Sequence, residues 1–371
     1  MTRSETTAQQ PQKILVRAPN WLGDLVMSTP GFNALRLAHP NAHIVGLVSE
    51  SVAPVLAGSK DFDEIWTIRS RGLSSIREVA RRIAIESFDL GIVIPESISS
   101  ALMMRWGRVA RVVGYARDPV RRALLHEVVP APPEWGRRRL VSKELFVLGL
   151  MRSVGAERED TRLELGTTAD ETDRLDAVLE SCGLDVERIE SKPPIVLAPG
   201  ASYGDSKCWP VARYAAFADE MSRRGECVVL IGTEAESDRT RAVRDEMGSS
   251  PIDLTGRLDL GSLKALLSRA RLLVANDAGA RHVATAFGVR SVVFFGPTSV
   301  AKTDENLESV EVLETEHACR PCYRRRCPID HRCLTSIGIP EAIAAADRAL
   351  NATPANALSV PRPASGRGGR A

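Results

Sequence analysis

"ILVRAPNWLGDLVMSTPGF", residues 14–32, carries the fold in miniature. A near-continuous apolar run opens it, a turn with Asn, Trp and Gly follows with a single carboxylate, Asp24, and an apolar stretch at helical spacing closes it. That pattern predicts a buried strand feeding a helix through a tight corner. Outward from it the rhythm continues through "HIVGLV", "DEIWTI", "DLGIVI" and "RVVGY", with helical patterns between them. Strands that are apolar on both faces and alternate with helices predict a parallel sheet covered on both sides, a doubly wound α/β domain. After a polar stretch around 155–170 the rhythm restarts at "PIVLAPGASYGD", residues 194–205, and runs through "CVVLIG", "RLLVAN" and "SVVFFGP". The two openings, "APNWLGD" and "APGASYGD", differ by one residue of spacing. The expectation is two Rossmann-like domains, residues 13–170 and 171–338, then a helix at 339–351. The tail at 352–371 is expected to be disordered, because its Pro, Gly, Ser and Arg content cannot support a core.

A chain of 371 residues is long enough for two such cores. With 44% hydrophobic residues, 26% charged and a net charge of +2, it is neither disordered throughout nor built to coat nucleic acid, so no nucleic-acid partner is expected. The opening "MTRSETTAQQPQ" holds no apolar leader core, and no later run approaches the roughly 20 apolar residues of a spanning helix. The expectation is a cytoplasmic protein without a transmembrane segment, peripheral at the membrane's inner face if its substrate is a lipid. Of seven cysteines, Cys182, Cys208 and Cys227 are scattered, whereas Cys319, Cys322, Cys327 and Cys333 fall close together.

Ligands of open α/β sheets bind beyond the carboxyl ends of the strands, so two facing domains make a cleft with one substrate on each wall. Asp24 sits at such an end. It is either a first-turn acid stabilised by exposed N–H groups or a general base for an incoming hydroxyl. In "APGASYGDSKCWP", residues 198–210, the loop amides and Lys207 suit a phosphate, although Gly-Ala-Ser loops also serve as plain connectors. In "LLVANDAGARHVATAFG", residues 272–288, small residues and a helix start again suit an anion. There Asp277 either accepts from sugar hydroxyls or caps the helix, and His282 lies one turn in. Together the two corners point to a nucleotide diphosphate in the C-terminal half.

"ACRPCYRRRCPIDHRCL" has the spacing C-x2-C-x4-C-x5-C with His331 inside it. Structural zinc, an iron–sulfur cluster, reduced thiols and a disulfide all remain open for it. Its Arg320, Arg324, Arg325, Arg326 and Arg332 are either a solvated loop or a contact for phosphates. The same choice applies to Arg121, Arg122, Arg137, Arg138 and Arg139 in the first half, where an anionic acceptor is the sharper expectation.

With "NWLGDLVMSTPGF", "APGASYGDSKCWP" and "NDAGARHVATAFG" followed by "VFFGPT", in that order, the chain resembles the ADP-heptose:lipopolysaccharide heptosyltransferases of the second-heptose type, in glycosyltransferase family nine, over residues 13–350. The cysteine segment also resembles one found in some members of that subgroup. The resemblance implies a GT-B fold with the C-terminal helix crossing back to the N-terminal domain. It implies an acceptor-binding first domain, a nucleotide-sugar-binding second domain, and inverting transfer with no cofactor required for catalysis. The implied partners are ADP-heptose and an anionic heptosyl-Kdo lipid A inner-core acceptor. On this chain's positions Asp24 would be the base and Lys207, with Ser202, would neutralise charge on the departing ADP. The amides of Asp277, Ala278 and Gly279 would hold the diphosphate with His282 beside it, Glu236 would meet the ribose, and Leu258 would line the adenine pocket. Trp21 and Gly23 would belong to the acceptor wall. Ala278 departs from the common Thr or Ser, and Ala280 with Arg281 replaces a common apolar pair; Arg281 is expected to add charge toward the diphosphate or acceptor. Transfer of a different sugar, or a non-catalytic protein that binds a nucleotide or lipid, are the rival functions. A dinucleotide oxidoreductase is disfavoured because neither leading strand is followed by Gly-x-Gly-x-x-Gly.

Overall fold

In the computed structural model, which describes residues 10–69, 72–136, 139–184 and 186–352, the chain forms two six-stranded sheets. Arg137, Arg138 and residues 353–371 of the expected tail lie outside the described residues. The first sheet comprises β1 (Lys13–Arg17), β2 (His43–Ser49), β3 (Glu64–Ile68), β4 (Leu90–Val93), β5 (Arg111–Gly114) and β6 (Glu127–Val128), in the order β3-β2-β1-β4-β5-β6. The second comprises β7 (Ile195–Ala198), β8 (Val228–Leu230), β9 (Ile252–Asp253), β10 (Leu272–Asn276), β11 (Arg290–Phe295) and β12 (Val310–Glu314), in the order β9-β8-β7-β10-β11-β12. Counted from its own first strand, each sheet therefore has the same order, and every pairing among the described residues is parallel. The apolar runs fill the centres: Ile14, Leu15 and Val16 of β1 and Leu272, Leu273, Val274 and Ala275 of β10 have no exposed surface.

In each sheet the order of strand addition reverses between the first and fourth strands, which opens a crevice at their carboxyl ends. Two contacts bring these crevices together. Helix Leu22–Val26, after β1, packs on helix Gly279–Ala286, after β10. A Cβ on Gly23 would stand 2.9 Å from Cδ2 of His282, and one on Gly279 3.1 Å from Leu22, so glycine at both positions lets the helices approach closely. The second contact sets the turn Ala53–Leu56 against helix Leu260–Ser268. There Lys264, with no exposed surface, reaches across to the Ala57 carbonyl (2.7 Å) and pairs with Glu171 (2.9 Å).

The last helix, Ile339–Asn351, corrects one expectation. It does not return to the first domain. Ala342, Ala345, Ala346 and Ala349 fall on one face at i, i+3, i+4 and i+7, and they bury against β10, β11, β12 and helix Val211–Arg223 of the second domain. Ion pairs Arg224–Asp347 and Arg348–Glu311 fix it there. Small side chains let this helix lie close on its own sheet.

Candidate active site

The facing crevices form a cleft of about 570 Å³. Its lining brings together Asp24, Lys207, Ser202, Glu236, Leu258, Asp277, Ala278, Gly279, His282, Trp21 and Gly23. Asp24 lies in the first turn of helix Leu22–Val26, which has no side-chain cap. Among the described residues nothing donates to its carboxylate, which therefore faces the cleft with its lone pairs open. Trp21 precedes it and is 53% exposed at the cleft, not packed in a core.

The opposite wall is an ionic cradle. Lys207, carried by the loop after β7, places Nζ 2.6 Å from Oδ2 of Asp277 and 2.7 Å from the Asp277 carbonyl. Thr298, just beyond β11, donates to the same Oδ2 at 2.7 Å, and Nε of Arg281 stands 3.5 Å from Oδ1. Burial alone would raise the Asp277 pKa, but Lys207 and then Arg281 outweigh it and hold the carboxyl at about 2. Asp277 is thus an ionised anchor for Lys207, and of the two parts expected for it the helix cap is the one it does not play, since among the described residues no side chain caps helix Gly279–Ala286. Its own N–H donates to the Phe294 carbonyl and is not available to a diphosphate. The amides of Ala278 and Gly279, at the start of helix Gly279–Ala286, remain for that purpose. His282 is buried against Gly23, and burial, reinforced by Arg281, drives its pKa well below the usual range, so its ring is neutral.

Asn276, at the end of β10, ties the two corners together. Its Oδ1 accepts from the Trp209 N–H at 2.9 Å while Nδ2 donates to the Pro199 carbonyl, also at 2.9 Å. Trp209 stacks on Phe294 with ring centroids 4.2 Å apart, so the "KCWP" turn is fastened to the sheet beneath it. At the far end, Ile231, Gly232, Thr233, Leu258 and Leu263 make an apolar slot, and Glu236 packs over Gly200 while its Oε2 accepts from the Thr233 N–H and hydroxyl.

Two groups of basic residues are placed differently from expectation. Arg121 has no exposed surface, and its guanidinium donates to the carbonyls of Tyr115 (2.6 Å) and Ser97 (2.5 Å) at the ends of the first sheet. Capping by Asp118 turns its helix so that this side chain runs inward. Arg121 is structural, and Arg122 is exposed and outside the cleft lining. The basic side chains on the first wall are Arg117, Arg139 and Lys143, with Glu96 held between the two arginines. Of these, only Arg139 was singled out by sequence. Arg281 is 1% exposed and points behind the cradle, not into the cleft.

The cysteine segment packs behind the Lys207 loop. Tyr203 donates to the Tyr323 carbonyl (2.5 Å), Ser206 to the Arg324 carbonyl (2.5 Å), and Nε2 of His331 bonds the Ser206 carbonyl (2.6 Å). Cys319, Cys322 and Cys327 are exposed, Cys333 is buried, and all four are free thiols. Among the described residues no group of three or more His, Cys, Asp or Glu side chains converges as a metal site, while Cys319, Cys322 and Cys327 lie near enough to Cys333 to raise its thiol pKa, after burial. Among those residues also, no helix is long and apolar enough to cross a membrane.

Residues 76–332 match the model for glycosyltransferase family 9 (heptosyltransferase). Lipooligosaccharide heptosyltransferase 2 of Haemophilus ducreyi is 25% identical over 78% of this chain and 85% of its own length. Lipopolysaccharide heptosyltransferase 2 of Escherichia coli is 26% identical over 77% and 83%. Among solved structures, E. coli ADP-heptose LPS heptosyltransferase II superposes with a TM-score of 0.76 at 22% identity over 91% of this chain and 98% of that one, and shares the fold. A family 9 glycosyltransferase of Veillonella parvula gives 0.78 at 23% identity over 91% and 97%. Two like-ordered sheets, an open carboxylate on one wall and a lysine-bearing cradle on the other thus sit in a chain that belongs to glycosyltransferase family 9, the heptosyltransferases.

Proposed function

We propose that the chain transfers heptose from ADP-heptose to a heptosyl-Kdo lipid A inner-core acceptor in lipopolysaccharide synthesis, with inversion at the anomeric carbon. The observation that carries this is the open Asp24 carboxylate facing the Lys207–Asp277 cradle across one cleft. The names of the relatives support heptose as the sugar and a lipopolysaccharide or lipooligosaccharide as the acceptor class, and that of the E. coli structure supports ADP-heptose as the donor. Adenine would enter the slot beside Leu258, with the ribose near Glu236 and the diphosphate on Lys207, Ser202 and the amides of Ala278 and Gly279. An acceptor hydroxyl would approach from the Trp21 side. As its oxygen bonds to the anomeric carbon, the carboxylate of Asp24 takes its proton and the bond from that carbon to the diphosphate oxygen breaks. The electron pair leaves with ADP, where Lys207 and the fixed amides stabilise it. Arg117, Arg139 and Lys143 outnumber Glu96 on the acceptor wall and suit an anionic sugar or phosphate at the membrane's inner face.

Mass spectrometry of the product formed from ADP-heptose and truncated heptosyl-Kdo lipid A tests the reaction. One added heptose, with ADP binding more tightly than UDP or GDP, is expected. Absence of acceptor-dependent ADP release would overturn it.

A further inference from the structure

Arg281 is the departure from the family pattern that the reaction leaves without a role. It is 1% exposed, carried on the first turns of helix Gly279–Ala286, and stacks 5.4 Å from the Phe295 ring centroid. It touches Asp277 from the side opposite Lys207, since Lys207 and Thr298 occupy Oδ2 while Nε of Arg281 faces Oδ1. At 3.5 Å that contact is a charge pairing and not a full hydrogen bond, and among the described residues the buried Nε has no hydrogen-bond partner. A second buried group points the same way. Glu144, on helix Lys143–Arg152 of the first domain, is 1% exposed, and among the described residues its Oε2 also has no hydrogen-bond partner. Its Oε1 has only a long contact, 3.4 Å, to Asn306. Arg281 also donates to the Thr303 carbonyl at 3.3 Å, three residues before the Asn306 that reaches Glu144, so one loop joins the two across the domain boundary and each feels the other's charge without direct contact.

The charges along this line alternate: Lys207 positive, Asp277 negative, Arg281 positive, Glu144 acidic. Without Arg281, Lys207 and Asp277 would form a neutral pair, and a diphosphate would have to compete with Asp277 for the ammonium group. With Arg281 sharing the Asp277 carboxylate, the cradle keeps a net positive charge. We propose that Arg281 is a positioning residue for the donor site, holding Asp277 from behind so that Lys207 stays available to the diphosphate, with Glu144 of the other domain as its counter-charge. This rests on the assignment of the cradle to the donor diphosphate.

Glu144 makes the cradle sensitive to pH. Burial pushes its carboxyl up to about 7; its own backbone N–H and then Arg281 from helix Gly279–Ala286 lower it, Glu305 from the loop after β11 raises it, and Asn306 lowers it. Below that pH Glu144 is neutral and the group Lys207, Asp277 and Arg281 keeps its net positive charge. Above it Glu144 is ionised and the cradle loses positive charge. Donor affinity is therefore weaker on the alkaline side.

The test is calorimetric titration of the full chain with ADP between pH 6 and 8, for wild type, Glu144→Gln, Arg281→Lys, Arg281→Met and Lys207→Ala. Taking the ratio of Kd values at each pH cancels the ionisation of ADP itself. Glu144→Gln mimics the neutral acid, so the wild-type to Glu144→Gln ratio is expected near one at pH 6 and about threefold at pH 8. Arg281→Met is expected to weaken ADP about tenfold, and Arg281→Lys to restore most of that. A purely structural role would lower Tm but leave the pH dependence of the ratio flat. A flat ratio for Glu144→Gln, or no loss in a folded Arg281→Met beside a clear loss in Lys207→Ala, overturns the inference. If Arg281→Met does not fold, the Glu144→Gln ratio and Arg281→Lys still decide. Full ADP affinity in Lys207→Ala strikes the donor assignment beneath it.

Discussion

The corner after β1 and the corner after β7 occupy the same place in two sheets of identical strand order, yet they carry opposite charges in opposite states. At the first, the chain enters a helix directly, and Asp24 faces the cleft without a side-chain partner among the described residues. At the second, a longer loop with a short helical turn at Asp205–Lys207 carries Lys207 to Asp277, 70 residues away in sequence, where it is held by two bonds. A base works by accepting a proton, so its lone pairs must be open. A cation that meets a leaving group works by being aimed in advance, so it is fixed. The repeated fold supplies the symmetric placement, and the loop lengths supply the asymmetry.

Breaking the second corner should have the larger effect on binding. Lys207→Ala is expected to lower turnover at least about a hundredfold and to weaken ADP as well, measured by steady-state kinetics and calorimetry. Next comes the anchor on which the facing of the two corners depends. Lys264→Met leaves the buried Glu171 with its Thr168 capping bond but without its counter-charge, and should cost roughly 3–5 kcal/mol of stability by denaturant unfolding, much of it recovered in the Lys264→Met, Glu171→Gln double variant, which keeps the cap. Gly23→Ala sharpens the comparison with less force. The added methyl must push His282 or move Asp24, so turnover should fall about tenfold while the unfolding midpoint shifts little. The smallest contrast is between neighbours. Arg122→Ala should leave both turnover and stability unchanged within about twofold, whereas Arg121→Ala strips donors from carbonyls at the ends of the first sheet and should lower Tm.

Much of this was legible because strands buried on both faces read as plain apolar runs, and because corners at their carboxyl ends are where ligands bind. Asp24, Lys207 and the "NDAG" turn follow from that logic. What the pattern hides is side-chain direction. Asp277 reads as a sugar ligand or a helix cap, and its part as the anchor of Lys207 emerges only when β7 and β10 are seen as neighbours, which places Lys207 beside it and lets Asn276 bridge the two turns. Arg121 looks like an exposed cation until the capping by Asp118 turns it inward. Thr298, Lys302 and Tyr323 were missed, although "FFGPTSVAK" after β11 marks another carboxyl end from which the first two could have been found. Tyr323 carries no such signal, since it reaches the cleft through an irregular segment pinned to Pro297 and Tyr203. In the last helix, the resemblance predicted a crossing that its alanine face does not support; that face holds it on the second sheet.

The most direct measurement is single-turnover transfer by Asp24→Asn, an isosteric change that leaves the corner intact, with ADP affinity measured on the same protein. Transfer at least about a hundredfold slower than wild type, with ADP bound as tightly as before, is the predicted result. Transfer at the wild-type rate would contradict the account, since the proton of the acceptor would then leave by another route.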